Sequence, residues 1–199
     1  MIGLGERFVR IALMLLGAGG SLGGVTAGTE ACGDGDGTTC QPEVIAEAEP
    51  NDTPATAGKP RRPNVLFAGA IEPASDVDVY AIQVPATADL KIETFDATGP
   101  GSCNGIDTVV TLLGTDGTTA LVVRDQGGIG NCGAIDPARH ADARAAHLPA
   151  GTYFVKVESH AAATRIAGYE LRVAYAALCG DGVVEGAETC DGGAGCTAT

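Results

Sequence analysis

The sequence predicts an all-β fold, an antiparallel β-sandwich of jelly-roll type with about eight strands. Thirty glycines and ten prolines among 199 residues, with aromatic residues at only 4%, favour short strands and turns over long helices. Short runs of alternating apolar and polar side chains recur along the chain, and turn residues separate them. Strands with one apolar face each bury those faces by stacking as two sheets.

The N-terminal residues 1–27 are predicted to be a secretory signal peptide. Arg7 and Arg10 precede a short apolar run at 11–16, and Val25-Thr26-Ala27 is typical of a cleavage site. The apolar run is too short to span a bilayer, so we expect export without a membrane span. A secreted or cell-surface location follows, in a compartment where disulfides persist.

Residues 28–46 form a polar, Gly/Asp-rich segment in which Cys32 and Cys40 are predicted to close a small loop. We assign residues 47–176 to the β-sandwich and 177–199 to a Cys-rich tail. Because a Pro-rich and basic connector occupies 54–63, ordered structure is expected to begin near Val65.

Period-two alternation places the strands of the sandwich in order along the chain. At 152–158, for example, Tyr153, Val155 and Val157 alternate with Phe154, Lys156 and Glu158. Residues 143–148 fit either a strand or an irregular segment. The predicted strands are 65–72, 77–84, 89–95, 107–113, 120–124, 143–148, 152–158 and 168–175.

The most informative feature is a set of oxygen-bearing side chains at the start of the sandwich. Pro50 favours an extended backbone at Glu49, so that Glu47, Glu49 and Asn51 project to one side. Asp52 follows at a turn. The second part of the set is Asp76 and Asp78, which repeat the i, i+2 spacing at the mouth of a strand. Six hard oxygen donors suit Ca²⁺, which takes six to eight such ligands. A solvated acidic linker fits the same residues.

These residues belong to a longer series of motifs that resembles the bacterial pre-peptidase C-terminal domain over residues 47–174. The resemblance implies a non-catalytic β-sandwich appended to exported proteins. It also implies that Glu47, Glu49, Asn51, Asp52, Asp76 and Asp78 ligate calcium and that Cys103 pairs with Cys132. Its landmarks are Glu47-x-Glu49-Pro50-Asn51-Asp52-Thr53, Gly69-x-Ile71, Asp76-x-Asp78-x-Tyr80, Asp107-Thr108, Ala150-Gly151-Thr152-Tyr153-Phe154-Val155-x-Val157 and Gly168-Tyr169-x-Leu171-x-Val173.

The tail resembles the start of a disulfide-rich repeat common in myxobacterial-type surface proteins. Cys179, Cys190 and Cys196 would share one bridge, assigned to Cys179 and Cys190, and leave one orphan thiol. The repeat is incomplete, because a later cysteine that is usual in it is missing.

The net charge and the absence of a complete catalytic motif in the sequence argue against two classes of function. A net charge of −13 argues against a nucleic-acid partner, since phosphate contacts need clustered Lys and Arg. No catalytic motif has its required context: Gly128-Ile129-Gly130-Asn131-Cys132-Gly133 matches G-x-G-x-x-G, but Pro137 follows where a helix is needed. We therefore expect a monomeric, calcium-binding, non-enzymatic module that recognises an extracellular protein or polysaccharide. The alternatives are a small secreted hydrolase with an unrecognised active site and a remnant of a larger protein.

Overall fold

The computed structural model describes residues 43–140, 142–161 and 164–176. The predicted signal peptide, the Cys32 and Cys40 pair, and the tail with Cys179, Cys190 and Cys196 lie outside the described residues.

Two sheets form the described structure. Their strands are β1 Glu43–Ala46, β2 Val65–Ile71, β3 Asp78–Val84, β4 Leu90–Asp96, β5 Thr108–Leu113, β6 Ala120–Arg124, β7 Ala134–Ile135, β8 Gly151–Ser159 and β9 Ile166–Tyr175. The first sheet has the order β1-β2-β9-β4-β7, and the second has the order β3-β8-β5-β6. Strands β2 to β9 thus form two four-stranded sheets in jelly-roll order. The sandwich predicted from the sequence is confirmed.

The core lies between the two sheets and follows the period-two pattern. In β8, Tyr153, Val155 and Val157 are buried, while the residues between them are half-buried. Leu171 and Val173 of β9 face them from the other sheet and are fully buried. Because alternate residues of each strand share a face, both sheets contribute a continuous apolar layer.

The structure contains two strands, β1 and β7, that the sequence pattern did not predict. β1 lies inside the segment predicted to precede the sandwich, yet it pairs with β2 in parallel, with Glu43 opposite Val65. Ordered structure therefore begins well before Val65. The second missed strand, β7, has only two residues, and its partner is β4.

Of the two alternatives for residues 143–148, a strand or an irregular segment, the irregular one is correct. Residues Ala143–Ala145 form a 3₁₀ turn, preceded by the four-residue helix α1 Pro137–His140. Within 143–148, only Leu148 forms a bridge, an isolated one to Ala88, two residues before β4. The alanines favour a local turn, which Asp142 holds by accepting hydrogen bonds from Arg124 and from the Asp136 amide. Within the described ranges, no helix combines the length and apolar character needed to cross a bilayer.

Candidate metal centre

Backbone hydrogen bonds bring two separate acidic segments to one end of the sandwich. The first, here called the entry segment, comprises residues 47–52 and follows β1. The Glu47 N–H donates to the Ala68 carbonyl at 2.9 Å and prolongs the pairing with β2. Four residues later, the Val79 N–H donates to the Asn51 carbonyl, also at 2.9 Å. The entry segment therefore crosses from the first sheet to the second and meets the second acidic segment, residues 72–78, where β3 begins.

The inner acidic group consists of Glu47, Glu49 and Asp78. Each contributes one carboxylate oxygen to a set in which all the oxygens lie within 4.8 Å of one another. Asp78 is fully buried, Glu47 is half-buried and Glu49 is exposed. The group is therefore reached from solvent on the side of Glu49.

The outer acidic group shares Glu49 with the inner one. Glu49, Asp52 and Asp76 also bring carboxylate oxygens within 4.8 Å of one another. These three line an open surface depression together with Pro50 and Pro73. The Asp76 carboxylate is fixed by two amides, since the Glu72 N–H donates to Oδ2 and the Val77 N–H to Oδ1, each at 3.0 Å.

Asn51 lies between the entry segment and Asp78 and is only 3% exposed. One end of its carboxamide faces Glu49 Oε2 and Asp78 Oδ1. If that end is the nitrogen, Asn51 donates to the two carboxylates at 3.2 and 3.1 Å. This orientation pairs both ends of the carboxamide, whereas the reverse leaves its oxygen facing only acceptors and its nitrogen facing only donors. To ligate a cation, Asn51 would have to present its oxygen at this end. All six residues singled out in the sequence thus lie at one end of the sandwich.

A pair of tyrosines that the sequence did not assign to the site lies behind the inner group. The Tyr169 hydroxyl donates to Asp78 Oδ2 and lies 2.7 Å from the Tyr80 hydroxyl. Tyr80 Oη in turn lies 3.3 Å from Glu47 Oε2, while Glu47 Oε1 accepts from the Ala70 N–H at 2.8 Å. The i, i+2 spacing of Asp78 and Tyr80 on a strand was the available signal, because such residues share a face.

Burial dominates the electrostatics of the inner group. It raises the pKa of Asp78 to about 8; the Tyr169 hydrogen bond lowers this pKa, and the nearby charges of Glu47 and Asp76 raise it. Burial also raises the pKa of Glu47. The same cause raises the pKa of Tyr80 and Tyr169, so both hydroxyls stay protonated and able to donate. A buried carboxylate beside a half-buried one favours either a proton or a cation between them.

Two loops of the sandwich are joined by a disulfide between Cys103, after β4, and Cys132, before β7. The S–S distance is 2.08 Å and the Cα–Cα distance is 6.0 Å. This is the bridge that the family resemblance implied.

The sequence matches none of the known protein-family models and none of the curated proteins. Two solved structures align with about two thirds of the chain. The pre-peptidase C-terminal domain of a collagenase from Bacillus anthracis aligns with a TM-score of 0.42 at 15% identity, over 68% of this chain and 99% of that one. PliG from Aeromonas hydrophila, a periplasmic inhibitor of g-type lysozyme, aligns with a TM-score of 0.36 at 10% identity, over 67% of this chain and 96% of that one. These likenesses concern the fold alone.

Proposed function

We propose that the protein is a secreted, non-catalytic β-sandwich module that binds Ca²⁺ through its entry segment and the start of β3. The observation that carries this proposal is that two segments of the chain bring together two adjoining groups of three carboxylates, which share Glu49. Glu47, Glu49 and Asp78 meet within 4.8 Å, and Asp52 and Asp76 join them around Glu49. Such a set is costly to hold together without a counter-charge.

The donor set favours calcium over other divalent cations. All six side chains offer oxygen, which excludes the softer ligands that select zinc or copper. Ca²⁺ accepts six to eight oxygens in flexible geometry, whereas Mg²⁺ demands a strict octahedron and retains water. Ligands from an extended segment and from the end of a strand do not impose a strict octahedron, which suits Ca²⁺, the larger ion.

The proposed role is adhesion or targeting to an extracellular protein or polysaccharide. The predicted signal peptide supports export, and the motif resemblance to the pre-peptidase C-terminal domain supports a module that accompanies another activity. Calcium would then fix the entry segment against the start of β3.

Calorimetric titration of the full chain with Ca²⁺ tests the site directly and gives the number of ions bound. We expect binding and a rise in Tm with calcium concentration relative to protein in EGTA, as mass action requires. The Asp78→Asn and Glu49→Gln variants should lose most of this rise. Glu158→Gln, on the outer face of β8, is the matched control and should keep it.

Terbium offers a second measurement. The chain has no Trp, and the hydroxyl of Tyr80 lies 3.3 Å from Glu47 Oε2. Tb³⁺ in the site should therefore show tyrosine-sensitised luminescence that Ca²⁺ displaces. An unchanged Tm in calcium together with no displaceable luminescence would refute the calcium site. Turnover of a peptide, ester or glycoside substrate that Asp78→Asn abolishes would replace the proposed function by a hydrolytic one.

A further inference from the structure

We propose that Tyr80 and Tyr169 are positioning residues that hold the carboxylates of Glu47 and Asp78 in the geometry the cation requires. This inference rests on the calcium site proposed above. Neither tyrosine would touch the ion. Each would act through a carboxylate that does.

The first step of the argument is the hydrogen-bond chain. Four oxygens follow one another behind the inner group, from Asp78 Oδ2 through the hydroxyls of Tyr169 and Tyr80 to Glu47 Oε2. With both carboxylates ionised around a cation, the chain holds two hydroxyl protons for three contacts. The Tyr169 hydroxyl donates its hydrogen bond to Asp78 Oδ2. The Tyr80 proton then lies between Tyr169, at 2.7 Å, and Glu47, at 3.3 Å.

The second step is that packing fixes the two rings. Tyr169 is 1% exposed and Tyr80 is 3% exposed. The Tyr80 ring also packs against Phe67, with ring centroids 4.4 Å apart. Because the rings cannot turn away, their hydroxyls are held at fixed places beneath the two carboxylates. Oriented donors of this kind tune a metal site without joining it.

The third step is that the chain leaves room for this arrangement at Gly69. A β-carbon there would lie 2.5 Å from Tyr80 Oη, 2.6 Å from Glu47 Oε2 and 2.8 Å from Tyr169 Cζ. The missing side chain thus allows both tyrosines and Glu47 to converge over β2.

The two tyrosines should not contribute equally. Tyr169 is the only described donor to Asp78 Oδ2, and Asp78 is fully buried. Glu47 keeps the Ala70 N–H on its other oxygen, and its contact with Tyr80 is long. We therefore expect loss of the Tyr169 hydroxyl to weaken calcium binding more than loss of the Tyr80 hydroxyl.

The test compares Tyr169→Phe and Tyr80→Phe with the matched control Tyr153→Phe in the full chain. The Tyr153 hydroxyl donates to the Pro149 carbonyl at 3.0 Å, outside the acidic groups. The readouts are the Kd for Ca²⁺ by calorimetry and the Tm in calcium-free buffer. We expect Tyr169→Phe to raise Kd by about tenfold or more and Tyr80→Phe by a smaller factor, with Tyr153→Phe at the wild-type value.

A purely structural role would lower the calcium-free Tm instead of raising Kd. Loss of the donor to the buried Asp78 should itself lower the calcium-free Tm of Tyr169→Phe, so the positioning role is judged by Kd, measured well below that Tm. Equal Kd values for wild type and Tyr169→Phe would overturn the positioning role while leaving the calcium site standing. Absence of calcium binding by the wild type would overturn both.

Discussion

Gly69 is the residue at which the fold and the candidate site constrain each other most closely. Two buried tyrosine side chains and the Glu47 carboxylate occupy the space that a side chain at this position would need. We expect Gly69→Ala to lower the free energy of unfolding by about 1–3 kcal/mol, the usual cost of overpacking, since the rings have no room to move. Urea denaturation measures this change.

Gly114→Ala is the matched control for that substitution. A β-carbon at Gly114 would meet its nearest neighbour, Asp116 Oδ1, at 3.4 Å, which is ordinary van der Waals contact. We expect its unfolding midpoint to stay close to that of the wild type. If Gly69→Ala were equally harmless, the packing described around the tyrosine pair would be wrong.

At the same scale, the proposed ligands were easier to recognise in the sequence than the residues that support them. The acids and Asn51 were recognisable because carboxylates spaced two apart along an extended segment project to the same side. Tyr169 was not, because its contact with Asp78 joins residues 91 positions apart. Only the pairing of β9 with β2 and the stacking of the sheets create that contact. A single strand pattern identifies Tyr169 as buried but cannot tell what it faces.

At the scale of elements, strands that carry a full period-two pattern were predictable, and strands defined by their partners were not. β8 and β9 have nine and ten residues with one apolar face, so the pattern alone identifies them. β1 has four residues and β7 has two, too few for a period to be evident. Their strand character comes from pairing with β2 and β4.

The disulfide between Cys103 and Cys132 lies next to β7, the shortest strand of the sandwich. It ties the loop after β4 to the residues that enter β7 and closes a 29-residue separation. We expect a Cys103→Ser and Cys132→Ser double variant to lose about 3.6 kcal/mol of unfolding free energy, in the loop-entropy model. Urea denaturation of both proteins without reductant measures the loss. A loss that persists when the two proteins are compared in dithiothreitol would point to packing around the cysteines instead.

The strand β1 lies at a sheet edge, and its hold on β2 should depend on the cation. Only four residue pairs join the two strands, and the entry segment that follows carries Glu47 and Glu49. Short edge elements are the first to open in native-state fluctuations. We expect amides of residues 43–52 to exchange more slowly in calcium than in EGTA. The matched control is β5, where we expect no change, and equal exchange of residues 43–52 in both buffers would show that the cation does not fix β1.

For the whole molecule, the candidate site matters because it joins the two sheets. Glu47 continues from β1 in the first sheet, and Asp78 is the first residue of β3 in the second. A cation between them closes one end of the sandwich, so its binding free energy adds to the stability of the entire fold. A change in calcium affinity or in the protonation of the site should therefore also change the free energy of global unfolding.

The pKa of Asp78 fixes the direction of the pH dependence. Its ordinary value of 3.8 is raised to about 8 in the folded protein, chiefly by burial. Between these two values the folded carboxyl holds a proton that the unfolded chain has lost. The calcium-free protein should therefore lose stability as the pH rises from about 4 to 8. Asp78→Asn should remove most of this slope, as thermal unfolding across that range in calcium-free buffer would show.

Calcium and this proton compete for the same carboxylate, so the stabilisation by calcium should depend on pH in the opposite sense. Binding of the ion must expel the proton below about pH 8, which weakens the apparent affinity by about tenfold for each pH unit below that value. We expect the Tm difference between calcium-loaded and calcium-free protein to grow from pH 5.5 to pH 8. Calorimetric titration at pH 7 in buffers of different ionisation enthalpy should show release of about one proton per binding event. A Tm difference that stays constant with pH, together with no proton release, would place the ion away from Asp78, on the outer group alone.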